Sequence, residues 1–383
     1  MNKSNKNKPF SEEELKFKHS EKFKQLEEEI AEQKKVLMNY KKDHGKLEVF
    51  FERLEQVLKP FTPEPIVYKP NLETKSKSSS AAVMHSTDQH EGAVQLPDEI
   101  EGFGQFNPLV CRRRKVGFAY DFLKWIKFQS GFNLPELHII DTGDNVSGDI
   151  HQELQITNEH PVTVQCVNAA INSALQVQVL APHFDRVIYH FIGSDNHGRL
   201  MKKPQAKEEG INSYNFLVGY ILGLMIRKHD NVDFRLYPQY QKVINVLNRN
   251  YLITHSHGVK GWAGIPWYGL QRKVGKEAQA RLQKIMKEIQ DNVIKMSRQV
   301  GFHLMIHGHF HTPYFAPTLL LYGGGSISGT DAYDHKEGRY SDPSQTGWIV
   351  HPENMEQCNQ PFWLSRHDDN NIFDSTFGIQ LDY

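Results

Sequence analysis

Five short motifs rich in histidine and acidic residues occur along this chain, and their side chains are typical metal ligands. In chain order the motifs are Asp88-Gln-His90, Gly143-Asp144-Asn145, Asn196-His197, His255-Ser-His257 and Gly308-His309-Phe-His311. Imidazole nitrogens combined with carboxylate oxygens suit divalent transition metals better than they suit an all-oxygen magnesium site. The inventory is large enough to hold two adjacent divalent metal ions.

A short apolar segment precedes each motif and predicts a strand. These segments are residues 81–84, 137–140, 187–192, 251–253 and 302–306, and each gives way to polar and glycine residues. In open α/β sheets, ligands bind beyond the carboxyl ends of the strands. We therefore expect the five strand ends to converge on one site. The long segments between the motifs leave room for the helical crossovers that parallel strands need.

In this order, the motifs resemble those of the calcineurin-like metallophosphoesterase superfamily, whose members read D-x-H, G-D, G-N-H, H and G-H-x-H. The resemblance covers residues 81–330. A glycine-serine segment after the last motif, residues 322–333, resembles that of many members. Together with residues 194–199 and 259–266, it looks most like uncharacterised members encoded in bacteriophage genomes. The resemblance implies an α/β fold class, a sandwich of two mixed sheets flanked by helices.

The resemblance also implies two divalent metal ions, with manganese favoured and iron, zinc or nickel as alternatives. It implies seven ligands in two sets that share one carboxylate: Asp88, His90 and His311 at one metal, Asn196, His255 and His309 at the other, and Asp144 bridging both. The fourth motif leaves a choice, because either His255 or His257 could be its ligand. His255 is favoured, since it directly follows the predicted strand.

The activity implied by the resemblance is hydrolysis of a phosphate ester by a metal-bridging hydroxide. Two metals about 3.5–4 Å apart lower the pKa of a water that they share and clamp the attacking and leaving oxygens. His197 matches the residue that contacts the phosphate and protonates the leaving oxygen, and Asp144 joins it among the catalytic residues. Arg199 could bind a non-bridging phosphate oxygen with its planar guanidinium. A surface salt bridge is the alternative role for Arg199.

Two departures from the superfamily pattern affect the surroundings of His197. Asp195 stands where the third motif usually has glycine. Ser147 stands where the protein Ser/Thr phosphatase branch has an aspartate that partners the catalytic histidine. Asp149 or Asp195 could replace that partner. These differences argue against a protein phosphatase of that branch.

The favoured substrate class is nucleic acid or nucleotides, which makes the chain a phosphodiesterase or nuclease. The basic run 112–115 follows Phe103 and Phe106 and could hold a nucleic-acid backbone, although such a run is more often a solvated surface. Trp262, Trp267 and Tyr268 could wall the mouth of the site or form a packed loop. A phosphomonoesterase and a non-catalytic scaffold of the same fold are the alternatives.

Composition is consistent with an intracellular enzyme. The chain has 383 residues, 39% hydrophobic residues and a net charge of zero, so no overall field favours nucleic acid or membranes. Its three cysteines, Cys111, Cys166 and Cys358, indicate free thiols in a reducing compartment. No apolar run reaches the ~20 residues of a membrane span, and the N-terminus lacks signal-peptide character. We expect a cytoplasmic protein.

Four regions follow from changes in composition along the chain. Residues 1–59 contain a charged helix whose apolar residues form a heptad seam, which predicts a coiled coil and a homo-oligomer. Packing of this helix on its own catalytic domain is the alternative. A Pro/Ser/Lys-rich linker spans 60–80, the catalytic domain spans 81–350, and residues 351–383 are expected to form an irregular tail.

Helical spacing of apolar residues predicts three helices within the catalytic domain, at 118–128, 162–180 and 278–296. The apolar run 216–226 predicts a further, buried helix. The clearest stripe of apolar residues is in the third of these helices and is expected to face the core: Leu282, Ile285, Met286, Ile289 and Val293.

Overall fold

The computed structural model describes residues 79–130, 134–204, 206–260, 264–290 and 301–370. The predicted coiled coil (1–59) and nearly all of the linker (60–80) lie outside these ranges, as do Trp262, Val293 and the end of the predicted tail. None of the helices in the described ranges combines the length and the apolar character that a membrane span requires.

Within these ranges the chain alternates strands and helices. The strands are β1 (Ala81–Ser86), β2 (Glu136–Asp141), β3 (Arg186–Ile192), β4 (Val232–Tyr237), β5 (Gln241–Val246), β6 (Arg249–Thr254), β7 (Leu304–His307), β8 (Tyr314–Ala316), β9 (Leu321–Gly323), β10 (Ser344–His351) and β11 (Met355–Trp363). The α-helices are α1 (Pro108–Ser130), α2 (Leu154–Thr157), α3 (Val162–Leu180), α4 (Tyr214–Ile226), α5 (Trp267–Gln290) and α6 (Ala332–Lys336). All five predicted motif-bearing strands are present, as β1, β2, β3, β6 and β7.

The strands form two mixed sheets, as predicted for the α/β sandwich. The first has the order β11-β10-β1-β2-β3-β4, and the second has the order β5-β6-β7-β9-β8. β1 to β4 run parallel, as do β6, β7 and β9, while β5, β8, β10 and β11 pair antiparallel with their neighbours. The motif-bearing strands therefore occupy the parallel centre of each sheet, and their carboxyl ends share one edge.

A hydrophobic core fills the space between the sheets. Val83, Ile140 and Ile192 of the first sheet face Ile253 and Ile306 of the second, all in one buried cluster. Helices α1, α3 and α4 pack against one another and cover the outer face of the first sheet, and α5 covers the second. This layering buries both faces of the parallel strands, as their apolar sequences require.

The apolar run 216–226 lies in α4 and is largely buried, as predicted. Gly219 of this helix approaches Phe191 and Leu236 so closely that a Cβ would lie 2.9 and 2.7 Å from their side-chain carbons. A larger residue at this position would push α4 away from β3 and β4.

Two predictions about the fold were wrong. The stripe on α5 is not core, because Leu282, Met286 and Ile289 are exposed and only the first turns of the helix reach the sheet, through Leu270 and Val274. Nor is the chain irregular directly after His351: β11 lies there and pairs with β10. Strand β11 has few buried residues, which is why its sequence resembles that of a loop.

Candidate metal centre

The residues of the five motifs meet at the shared edge of the two sheets, just beyond the strand ends. Several of them have backbone conformations that L-residues rarely adopt. The positive φ angles are those of Asp88 (51°), His90 (49°), Asp144 (52°), His309 (76°) and His311 (53°). Each such residue costs on the order of 1–3 kcal/mol, and such strain clusters at functional sites. The fold therefore holds these side chains in position at the expense of stability.

Backbone hydrogen bonds between the loops impose these conformations. The N–H of Asp88 donates to the carbonyl of Gly143 at 2.9 Å, and that of His90 donates to the carbonyl of Asp144 at 3.0 Å. The carbonyl of Asp88 accepts the N–H of Ile327 at 3.0 Å. The loops after β1 and β2 are thus joined like a continuation of the sheet, which holds the first two motifs side by side.

Asp88, His90 and His311 form the first group of side chains. Their ligand atoms lie within 4.8 Å of one another, which is close enough to hold one metal ion. His90 Nε2 and His311 Nε2 are 3.0 Å apart. Asp88 Oδ1 lies 3.8 Å from the nitrogen of His90 and 3.5 Å from that of His311. The structure therefore brings together all three residues predicted for the first metal.

Asp144, His255 and His309 form the second group within the same limit. His255 Nε2 lies 2.9 Å from Asp144 Oδ2 and 2.9 Å from Asn196 Oδ1, so Asn196 joins this group. His257 instead contacts Glu209, with Nε2 2.5 Å from Oε1. The structure therefore places His255, and not His257, beside the shared carboxylate.

A third group, consisting of His90, Asp144 and His197, connects the other two. His90 belongs to the first group and Asp144 to the second, so the three groups form one continuous cluster. The other oxygen of Asp144, Oδ1, accepts the backbone N–H of His197 at 3.0 Å. Asp144 therefore lies within ligand distance of residues from both the first and the second group.

The carboxylates of the cluster favour the positively charged forms of His255 and His311. Burial lowers the pKa of His255, but the charge of Asp144 and its hydrogen bond outweigh burial and raise this pKa to about 9. Burial likewise lowers the pKa of His311, but hydrogen bonds to Asp334 and Asp88 raise it well above its usual value. Each group therefore stabilises a cation at its centre, which fits the binding of a divalent metal.

The remaining imidazoles are in the form that binds metals. Burial, with the charges of His197 and His311, lowers the pKa of His90 to about 3. Burial, with the charge of His255, lowers the pKa of His309 well below its usual value. Both rings are therefore neutral at physiological pH, and a neutral ring has a nitrogen lone pair to donate.

Outer hydrogen bonds orient two of the histidines. His255 Nδ1 donates to the carbonyl of Thr142 at 2.9 Å, and His311 Nδ1 lies 3.0 Å from Asp334 Oδ2. In both rings this leaves Nε2 directed at the cluster. Such partners fix the tautomer and orientation of metal-binding histidines. The sequence did not reveal Asp334, because no motif connects α6 with the fifth motif.

His197 is held by a backbone carbonyl. Its Nδ1 lies 2.7 Å from the carbonyl oxygen of Ser147. The proposed alternatives, Asp149 and Asp195, do not supply this contact. Asp195 instead accepts the backbone N–H groups of Asp144 at 2.7 Å and Gly198 at 2.8 Å, and so braces the loop in place of the usual glycine.

Arg199 lies half-buried beside this loop. Its buried Nε has no hydrogen-bond partner among the described residues, and no ion pair of Arg199 is found there either. The surface salt bridge considered for Arg199 is therefore not formed within the described ranges. The guanidinium is available to an anionic ligand.

The basic run 112–115 is not a nucleic-acid surface. Arg114 is buried and binds both carboxylate oxygens of Asp368, at 2.6 and 2.7 Å. Lys115 is also buried and donates to Ser86 Oγ at 2.6 Å. Arg114 further donates to the carbonyls of Ile327 and Ser328, at 2.8 and 2.9 Å. The run therefore braces the loops behind the metal centre. Its contacts are tertiary, which is why the charge pattern alone was misleading.

Two of the residues considered for the mouth of the site lie at the start of α5. The ring of Trp267 packs edge-on against Tyr314 with centroids 4.7 Å apart, while Tyr268 is exposed. Trp267 is thus partly a packing residue, and no contact within the described ranges connects either ring with the cluster.

Comparison with known proteins identifies a weak similarity at the level of structure. No family model matches the chain, and no curated protein matches it. Among solved structures, the chain is similar to the Thermus thermophilus sulfate thiohydrolase SoxB in complex with glycerol, with a TM-score of 0.29 and 10% sequence identity. The similarity covers 74% of this chain and 56% of that protein. The chain therefore spans little more than half the length of SoxB.

Proposed function

We propose that this protein is a binuclear metal-dependent phosphodiesterase that acts on nucleic acid or nucleotides. The observation that carries the proposal is the cluster of three overlapping groups, joined through His90 and Asp144. Asp88, His90 and His311 would hold one divalent metal. Asn196, His255 and His309 would hold the other, with Asp144 between them.

Two bound divalent metals supply a nucleophilic water at neutral pH and neutralise charge on the phosphate. The protein contributes the placement of the ligands. His255 and His311 donate hydrogen bonds from Nδ1 to the Thr142 carbonyl and the Asp334 carboxylate, which directs Nε2 of each ring toward the cluster. The carboxylates of Asp88 and Asp144 are carried on strained backbone conformations. Little rearrangement is therefore needed when substrate binds, which favours catalysis.

His197 is the proposed general acid. Because Nδ1 donates to the Ser147 carbonyl, Nε2 remains to face the phosphate. The water oxygen bonds to phosphorus while the bond from phosphorus to the leaving oxygen breaks, and the leaving oxygen takes the proton from Nε2. The proton lost by the water restores the imidazolium through solvent. Arg199 is proposed to bind a non-bridging oxygen, where its planar guanidinium matches the phosphate.

The proposal is tested by metal content and hydrolysis together. Wild type and Asp144→Asn are reconstituted with Mn²⁺, analysed for bound metal, and assayed on bis-p-nitrophenyl phosphate and p-nitrophenyl phosphate. Asp149→Asn is the matched control, since Asp149 is a half-buried carboxylate of the same loop outside the cluster. We expect about two metals in wild type, with activity on the diester. Asp144→Asn should lose metal and more than about 100-fold in rate, since even outer partners of a metal contribute 10–100-fold.

Three results would change the assignment. A strong preference for the monoester would support the phosphomonoesterase alternative. A protein that binds no metal and has no activity would support the scaffold alternative. Equal losses in Asp144→Asn and Asp149→Asn would remove Asp144 from its bridging role.

A further inference from the structure

Exposed aromatic rings lie together beside the His311 side of the cluster. This aromatic patch consists of Phe103, Tyr333, His335 and Tyr340. Three of its side chains are largely exposed, with 52%, 62% and 54% of the surface of Phe103, Tyr333 and Tyr340 open to solvent. The rings of Phe103 and Tyr340 have centroids 4.5 Å apart, and Phe103 and His335 have centroids 6.1 Å apart.

The aromatic patch is tied directly to the metal centre. Asp334, which lies between Tyr333 and His335 in sequence, has Oδ2 3.0 Å from His311 Nδ1. Ser341, which follows Tyr340, donates from Oγ to the carbonyl of His311 at 2.7 Å. Residues of the patch are therefore sequence neighbours of two groups that hold a proposed metal ligand.

A cation accompanies the rings. The guanidinium carbon of Arg339 lies 5.0 Å from the centroid of Tyr333, and Nη2 is 3.0 Å from Asp334 Oδ1. This ion pair fixes the arginine against the ring, and cation–π contact adds to a surface that binds planar groups.

Two basic residues, Arg199 and Lys202, follow His197 in the loop after β3. The rings of His151 and His197 have centroids 6.3 Å apart. Lys202 is exposed, and Arg199 is half-buried with no hydrogen-bond partner for its Nε among the described residues. Basic residues therefore follow His197 in sequence, while aromatic residues flank Asp334, the partner of His311.

Aromatic faces and positive charges together match one class of substrate. Single-stranded nucleic acid offers unpaired bases that stack on aromatic side chains and phosphates that attract cations, whereas a duplex keeps its bases inside. We propose that the substrate is single-stranded nucleic acid, with its unpaired bases stacked on the aromatic patch and its backbone passing the metals toward Arg199 and Lys202. This inference rests on the proposed phosphodiesterase function and names its substrate.

The experiment compares substrates with and without bases. The Mn²⁺-loaded full chain is assayed on an oligothymidylate, on an oligomer of equal length in which the bases are replaced by abasic sites, on the dinucleotide TpT and on bis-p-nitrophenyl phosphate. The variants are Phe103→Ala, Tyr340→Ala and their combination. Phe128→Ala is the control, because Phe128 at the end of α1 is 85% exposed and outside the patch.

We expect KM for the oligothymidylate to rise about 5- to 150-fold in the patch variants, as loss of a stacked base implies. Activity on the abasic oligomer and on bis-p-nitrophenyl phosphate should not change, and Phe128→Ala should behave like wild type. Equal effects on the abasic and base-containing oligomers, or no effect on either, would overturn the proposed stacking of bases on the aromatic patch. Patch variants that lose TpT as strongly as the oligomer would point to a nucleotide in place of a strand.

Failure of the patch and failure of the phosphodiesterase function give different results. Wild type could hydrolyse bis-p-nitrophenyl phosphate but act equally on the oligothymidylate and the abasic oligomer. In that case only the proposed role of the aromatic patch is wrong. If wild type hydrolyses no substrate, the phosphodiesterase function fails. In that case, fluorescence anisotropy of labelled oligothymidylate and abasic oligomer still tests the patch, and equal affinity for both would refute it.

Discussion

His197 Nδ1 and the carbonyl oxygen of Ser147 lie 2.7 Å apart, so the proposed general acid is oriented by the backbone and not by a carboxylate. A carbonyl can only accept a hydrogen bond. The proton of Nδ1 is therefore fixed on that nitrogen, and Nε2 is the position that exchanges protons with the leaving group.

Replacing His197 with Gln should reduce kcat by about 10²–10⁴-fold, the usual contribution of a general acid. The two metals should remain bound, since His197 is outside both proposed ligand sets. The loss should be smaller with p-nitrophenolate as leaving group than with the sugar hydroxyl of a dinucleotide, because a good leaving group needs less protonation. Steady-state kinetics on both substrates, with elemental analysis, check this. Equal losses on the two substrates would contradict the role as acid.

Replacing Asp334 with Asn should weaken metal binding at the group of Asp88, His90 and His311. The carboxylate of Asp334 holds His311 at 3.0 Å, and loss of such a partner typically costs about 10–100-fold in metal affinity. Titration calorimetry with Mn²⁺ should show one weakened and one unchanged site. Glu337→Gln, an exposed carboxylate just after α6, is the control. Equal weakening of both sites would mean that Asp334 acts on the fold as a whole.

Replacing Arg199 with Gln should reduce kcat/KM for the diester by about 10- to 150-fold, because hydrogen bonds to charged groups contribute about 1.5–3 kcal/mol. The free energy of unfolding should change by less than about 0.5 kcal/mol, since no ion pair within the described ranges is lost. Kinetics and urea unfolding measure the two effects. Arg227→Gln, at an exposed arginine after α4, controls for net charge. A large loss of stability with unchanged kinetics would indicate a structural arginine.

Replacing Lys273 with Met should remove a pH-dependent contribution to stability. Burial lowers the pKa of Lys273 to about 8, against the charges of Glu277 and Glu209, while the unfolded chain keeps the ordinary value of about 10.4. Between these two values the unfolded state binds more protons than the folded state. The free energy of unfolding of wild type therefore rises with pH across this interval, by about 3 kcal/mol at most.

Urea unfolding of wild type and Lys273→Met at pH 7.5 and pH 10 measures this contribution. The stability of wild type relative to the variant should increase between the two pH values. The comparison with the variant cancels the titration of other groups, such as tyrosines. A difference that stays constant with pH would show that Lys273 keeps an ordinary pKa.

Much of the site was predictable because the motifs are local in sequence. Asp88 and His90, or His309 and His311, are two residues apart at the end of an apolar strand, and such strands in a parallel sheet end at one edge. Features that depend on contacts across the molecule were not predictable. The basic run 112–115 was expected at the surface, either solvated or in contact with nucleic acid, but Arg114 meets Asp368, more than 250 residues later, and becomes buried. The stripe on α5 had the helical period of a core face, but only the start of that helix reaches a sheet.

The sequence by itself determined the elements and the donor set: which apolar runs become strands, which polar residues end them, and that imidazoles and carboxylates suited to divalent metals are present. The tertiary structure alone decided which of two histidines joins Asp144, that the carbonyl of Ser147 holds His197, and that Asp334 orients His311. The physical reason is the separation in sequence between the residues that determine each feature. Strand and motif signals come from neighbouring residues, whereas these contacts join groups that are distant in sequence and that only the tertiary fold brings within about 3 Å.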